Sequence, residues 1–162
     1  MASSITPRSC WDSCLFIAII AEEEGRVDNC LGLWREATVE RRVDIYTSAI
    51  TIAECADAAG NDEREAKLQA FLQSKQLKVV NADRLVSERA RAIQRQVYSD
   101  TGKKLPVRDS IHLATAIQIN ATVLYTYDRN DLIRLDGRFA NRDGLNIRIA
   151  EPSTPPNQTR LI

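Results

Sequence analysis

The stretch Leu105–Leu132, LPVRDSIHLATAIQINATVLYTYDRNDL, constrains this chain more than any other. Pro106 favours a helix start, because proline's missing N–H is tolerated and its fixed φ is helical at the first position. That places Asp109 in the first turn of the helix. Val123-Leu124-Tyr125 is a short β-prone run between turn signals, the pattern of a covered strand. Thr126-Tyr127-Asp128 ends the strand, and Asp128 with Asp131 is expected to start a further helix. A carboxylate thus sits at each junction of this helix–strand–helix unit.

Two more acids occupy matching places upstream. Asp12 follows Arg8-Ser9-Cys10-Trp11 and precedes the apolar run Cys14–Ala21. Glu54 lies early in an expected helix, roughly Thr51–Ala59, after the alternating Val43, Ile45 and Thr47. Acids therefore follow at least three expected strands where the chain turns into helices. In an open parallel sheet those turns share one edge, the edge at which ligands bind.

The remaining chain supports such a sheet. Cys30, Leu33, Trp34 and Ala37 make an apolar stripe at helical spacing, as do Leu68, Phe71 and Leu72, and again Val86, Ala90, Ile93 and Val97. Leu77–Val80 and Asn146–Ile149 read as strands. Alternating strands and helices predict an α/β fold with a parallel sheet of four to five strands, helices covering both faces. Residues 1–150 form one expected domain. Residues 151–162 hold three prolines and little apolar matter, so a disordered tail is expected there.

Composition narrows the function. Lysine plus arginine equal aspartate plus glutamate at 22 each, so no bulk positive field attracts nucleic acid, and such contacts need a local patch. The four cysteines lack zinc-ligand spacing, which favours reduced, packed thiols in a cytoplasmic protein. The run Cys14–Ala21 is too short to cross a bilayer and reads as a buried helix.

Each acid also has a local explanation. Asp12 and Asp128 could cap helices. Glu54 could complete a capping box with Thr51. Asp109 could favour the helix dipole. Asp109 fits its local explanation least, because His112, Leu113 and Ala116 share its helical face with no lysine or arginine, and a carboxylate turned towards a core needs a cation or metal. His112, the single histidine, could act as a general base or support the acids from behind, but the favoured reading is a hydrogen-bonded structural residue. Clustered carboxylates repel one another. A hard cation such as Mg²⁺ or Mn²⁺ relieves that repulsion.

On these residues the chain resembles the PIN-domain nucleases, which include the VapC-type toxins. The resemblance runs over about residues 8–150. Its strongest part is Asp109-Ser110-Ile111-His112-Leu113-Ala114-Thr115-Ala116 followed by Leu124-Tyr125-Thr126-Tyr127-Asp128. Trp11-Asp12-Ser13-Cys14-Leu15-Phe16-Ile17 looks like the family's opening strand, and Ser48–Glu54 like the segment carrying its glutamate. Pro7 and Arg8 stand where the family shows an apolar run, which bears on the length of the first strand and leaves the acid in place.

The resemblance implies a three-layer α/β/α sandwich, a metal-dependent endonuclease acting on RNA, a homodimer and, for toxin members, a small antitoxin. Asp12, Glu54, Asp109 and Asp128 are then the expected metal and catalytic residues. Asp131, Ser13 and Thr126 are expected behind them as supporting groups. Arg108 and Arg129 are candidate RNA contacts, with Arg41, Arg42, Arg91 and Arg95 less favoured. Two rivals stay open: a catalytically silent module of the same fold that binds RNA or protein, and an acid-rich phosphatase. Asp12-Ser13-Cys14 lacks the second Asp that many such phosphatases carry.

Overall fold

The structure is a computed structural model and describes residues 5–153. The expected loose tail falls mainly on residues 154–162, outside the described part. Five parallel strands form one sheet: β1 (Arg8–Trp11), β2 (Asp44–Ser48), β3 (Leu77–Val80), β4 (Val123–Tyr125) and β5 (Arg148–Ala150). Their order is β3-β2-β1-β4-β5. The chain leaves β1 towards β2 and β3, then crosses to β4 and β5 on the other side. The order therefore reverses at β1, and the crevice between β1 and β4 is the topological switch point.

Helices cover both faces, as expected for a parallel sheet whose central strands are largely buried. One face carries α1 (Ser13–Ile20), α2 (Val27–Thr38), α3 (Ile50–Glu54) and α4 (Asp62–Gln73). Leu15, Phe16, Ile19 and Ile20 of α1 meet Cys30, Leu33 and Ala37 of α2 there. Trp11, Phe16, Trp34 and Phe71 stack through tilted and edge-on contacts between 4.7 and 6.1 Å. The other face carries α5 (Arg84–Thr101) and α6 (Val107–Gln118). The two run antiparallel: Gln94 of α5 bonds the Leu105 carbonyl, and Arg89 bonds Gln118 at the far end of α6. Val86, Ala90, Ile93 and Val97 pack against the Ala-rich side of α6. The three-layer sandwich and the apolar stripes match the sequence expectation, with the strand count resolved as five.

Several local expectations need correction. The helix after Ser48 stops at Glu54, and residues 55–59 are turn, so Glu54 ends its helix rather than lying early in it. No α-helix follows Asp128: residues 129–132 turn, and a 3-10 turn at Ile133–Leu135 follows. Glu151 and Pro152, assigned to the tail, are half-buried and buried. Among the described residues no helix is long and apolar enough to cross a membrane.

Candidate functional site

The site is built from the carboxyl ends of β1, β2 and β4. Asp12 follows Trp11 directly, and its N–H bonds the Tyr125 carbonyl, extending the β1–β4 pairing by one residue. Its carboxylate caps nothing. Thr126 Oγ1 donates to Asp12 Oδ2 at 2.7 Å, and Ser13 Oγ donates to Oδ1 at 3.1 Å. Thr126 Oγ1 in turn accepts the Asp128 N–H at 3.0 Å. One hydroxyl therefore fixes the acids after β1 and β4 together. The Asp12 side chain is buried, and a buried carboxylate needs this kind of hydrogen-bonded support.

Glu54 is carried in from β2. Thr47 Oγ1 donates to the Trp11 carbonyl at 2.8 Å and lies 2.7 Å from Thr51 Oγ1, which ties α3 to the end of β1. Glu54 does not reach back to form a capping box. Its Oε2 lies 2.7 Å from His112 Nε2, and the same nitrogen is 3.3 Å from Asp12 Oδ1. His112 is thus hydrogen-bonded as expected, but its partners are site carboxylates. Burial works against a charge on this imidazole. The bond to Glu54 and the charges of Asp12, Glu54 and Asp109 outweigh burial and hold its pKa above the ordinary value.

Asp109 lies in the first turn of α6 and is 3% exposed. Its Oδ2 is buried with no hydrogen-bond partner. The nearest cation is Arg108, whose Nε is 3.6 Å from Oδ1 on a side chain that is mostly solvent-exposed. Burial first, then the Asp128 and Asp12 carboxylates, push the Asp109 pKa up to about 7. Asp128 Oδ1 accepts from the backbone N–H groups of Asn130 and Asp131, both at 3.0 Å, so this acid does shape the turn that follows β4. Asp131 pairs with Lys103 at 3.1 Å.

Two separate groups of candidate ligand atoms result. Asp12, Glu54 and His112 form one, and Asp109, Asp128 and Asp131 the other, each with ligand atoms within 4.8 Å of one another. The second is an all-oxygen set containing a buried, unpartnered carboxylate oxygen. That chemistry suits a hard divalent cation such as Mg²⁺ or Mn²⁺.

Other predicted contacts fare differently. Arg129 is exposed but forms a two-bond ion pair with Glu151, which follows β5. Its guanidinium is therefore engaged in the described structure. Arg41, Arg42, Arg91 and Arg95 are exposed, and Arg42 pairs with Glu40. Cys14 was expected only to pack, yet its sulfur accepts the Tyr127 N–H at 3.2 Å and lies 3.5 Å from Asp12 Oδ2. Burial first, then the Asp12 charge, push this thiol well above its ordinary pKa, which disfavours the thiolate.

Known structures share this architecture. VapBC2 from Rickettsia felis, bound to a DNA fragment from its promoter, aligns with a TM-score of 0.61 and 17% identity, covering 90% of this chain and 99% of that one. A toxin–antitoxin complex from Klebsiella pneumoniae aligns at 0.59 and 22% identity, covering 91% and 99%. VapC20 from Mycobacterium tuberculosis, a Sarcin-Ricin loop cleaving toxin, aligns at 0.59 and 15%, covering 75% and 91%. A search of curated protein sequences found no match. The family model described as PIN domain matches residues 10–138, a span that includes all four of the acids at the sheet edge. The chain belongs to the PIN-domain family.

Proposed function

We propose that this chain is a metal-dependent endoribonuclease that hydrolyses RNA phosphodiesters with Mg²⁺ or Mn²⁺. The observation that carries this reading is Asp109: a buried carboxylate with an orphaned oxygen, beside Asp128 and Asp12, at the switch point of a PIN-domain sheet. Without a cation this arrangement holds its acids against their own repulsion. Asp12, Asp109 and Asp128 would hold the metal, directly or through water, and Glu54 would complete the pocket, as a ligand or by orienting the attacking water. When bound, the metal supplies a water of lowered pKa and screens charge that develops on the phosphate. Thr126 and Ser13 keep Asp12 aimed into the pocket, and Asp131 sits behind Asp128 with Lys103.

Arg108 is the exposed cation nearest the acids and is placed to meet the RNA backbone. Arg129 can do so after it leaves Glu151. The toxin–antitoxin complexes among the structural neighbours support a further step: the chain acts as a toxin, as a homodimer in the cytoplasm, with a small antitoxin covering the acidic pocket.

The test is cleavage of labelled single-stranded RNA by wild type and Asp109→Asn with Mg²⁺, Mn²⁺ or chelator. Cleavage that needs metal and is lost in the folded variant supports the proposal. Retention of RNA without cleavage by wild type would replace it with the silent binding module.

A further inference from the structure

His112 is the chain's single histidine and is fully buried. Its Nε2 faces two carboxylates, at 2.7 Å from Glu54 Oε2 and 3.3 Å from Asp12 Oδ1. The three side chains could be taken for a metal-ligand set. The other ring nitrogen decides between ligand and donor. If Nε2 bound a cation, the ring hydrogen would have to sit on Nδ1. Ligating imidazoles almost always donate that hydrogen to a carboxylate, a carbonyl or water. Here Nδ1 is buried and has no hydrogen-bond partner among the described residues. A hydrogen there would be a buried, unpaired donor, which is costly. A hydrogen on Nε2 instead points at an acceptor 2.7 Å away. The neutral ring with its hydrogen on Nε2 leaves Nδ1 bare and avoids that cost; an imidazolium would also carry a hydrogen on Nδ1, but keeps the Nε2–H.

Glu54 needs such a partner. It is the last residue of a five-residue helix, on a side chain with three rotatable bonds. Asp12 is held by Thr126 and Ser13, whereas the hydrogen-bond partner of Glu54 among the described residues is His112. We propose that His112 is a positioning residue that donates its Nε2–H to Glu54 beside Asp12, and that it does not itself ligate the metal. The cation then falls to the oxygen atoms of Asp109, Asp128, Asp12 and Glu54, the last held in place by His112. This inference rests on the metal-site reading above.

Because the imidazole is the only one, ¹⁵N–¹H spectra of protein labelled in the histidine ring contain a single spin system. The spectra are recorded without metal and with saturating Mg²⁺. The proposal expects the hydrogen on Nε2 in both states; a bare Nε2 in either state overturns it. His112→Gln, which can return an N–H, is then compared with apolar His112→Met for Mn²⁺ affinity, with folding checked by circular dichroism. His112→Met should lose about tenfold in affinity, as for other residues that orient ligands, while His112→Gln keeps most of it. Equal losses would overturn the positioning role. If His112→Met fails to fold, the wild-type spectra still decide the assignment. Wild type that binds no divalent ion while keeping its Nε2–H signal would reject the nuclease reading and uphold the hydrogen-bond assignment.

Discussion

Asp109→Asn should stabilise the metal-free protein while abolishing its activity. In the unfolded chain this carboxyl ionises near 3.8, and in the fold near 7. Between those values the folded state binds more protons than the unfolded one, so wild-type stability falls as pH rises. The loss is complete above pH 7. At 1.36 kcal/mol per unit, the shift corresponds to about 4 kcal/mol, and local relaxation should reduce it to roughly 2–4 kcal/mol. Asparagine has the shape of the protonated acid and carries no charge, and its amide can donate to the neighbouring carboxylates. Losing the Arg108 contact matters little, because that cation is exposed and 3.6 Å away. Urea unfolding in chelator from pH 4.5 to 8 measures the effect. The variant should exceed wild type most at pH 8, and the gap should close towards pH 4.5. Thermal midpoints should differ by roughly 5–15 °C at pH 8, given 2–4 °C per kcal/mol for a chain of this size. Saturating Mg²⁺ should raise wild type towards the variant. A variant no more stable than wild type at pH 8, or a gap that ignores pH, would refute the repulsive-pocket argument.

Thr126→Val should destabilise the fold by about 1–3 kcal/mol, because it leaves the buried Asp12 Oδ2 with only the weak Cys14 thiol as donor and unpairs the Asp128 N–H, and should also weaken Mn²⁺ binding in calorimetry. Glu151→Ala should tighten RNA binding by freeing Arg129, and Arg129→Ala should weaken it with the melting temperature unchanged; filter binding and thermal scans check both. Leu113→Ala, at a fully buried position on α6, should cost about 2–5 kcal/mol in urea unfolding. Burial pushes the thiols of Cys10, Cys14, Cys30 and Cys55 up, the last to about 12, so iodoacetamide at pH 8 should label them only after unfolding, read by mass spectrometry.

Much of the fold was legible because it rests on local periodicity. The Leu77–Val80 strand, the apolar stripe of α5 and the acids at strand ends all follow from spacing within a dozen residues. The strand ends could be seen, so the shared edge could be inferred. What was not legible depends on partners distant in sequence. His112 meets Glu54 across 58 residues, and no local pattern couples them. Arg129 looked like a free cation until β5 brought Glu151 beside it. The sequence pattern extends α3 past Glu54 and predicts a helix after Asp128, since both acids look like helix-terminal residues, whereas α3 stops at Glu54 and residues 129–132 turn. Asp128 does bond two backbone N–H groups, but the helix it would cap is not continued.

The central claim is that the acids at the β1–β4 crevice bind a divalent cation. Isothermal titration of Mn²⁺ into metal-free protein tests this without reference to substrate. Saturable binding by wild type is expected, weakened at least about tenfold in Asp109→Asn and in Asp128→Asn, since each removes a charged oxygen ligand. No binding by wild type, or unchanged affinity in both variants, would contradict the account.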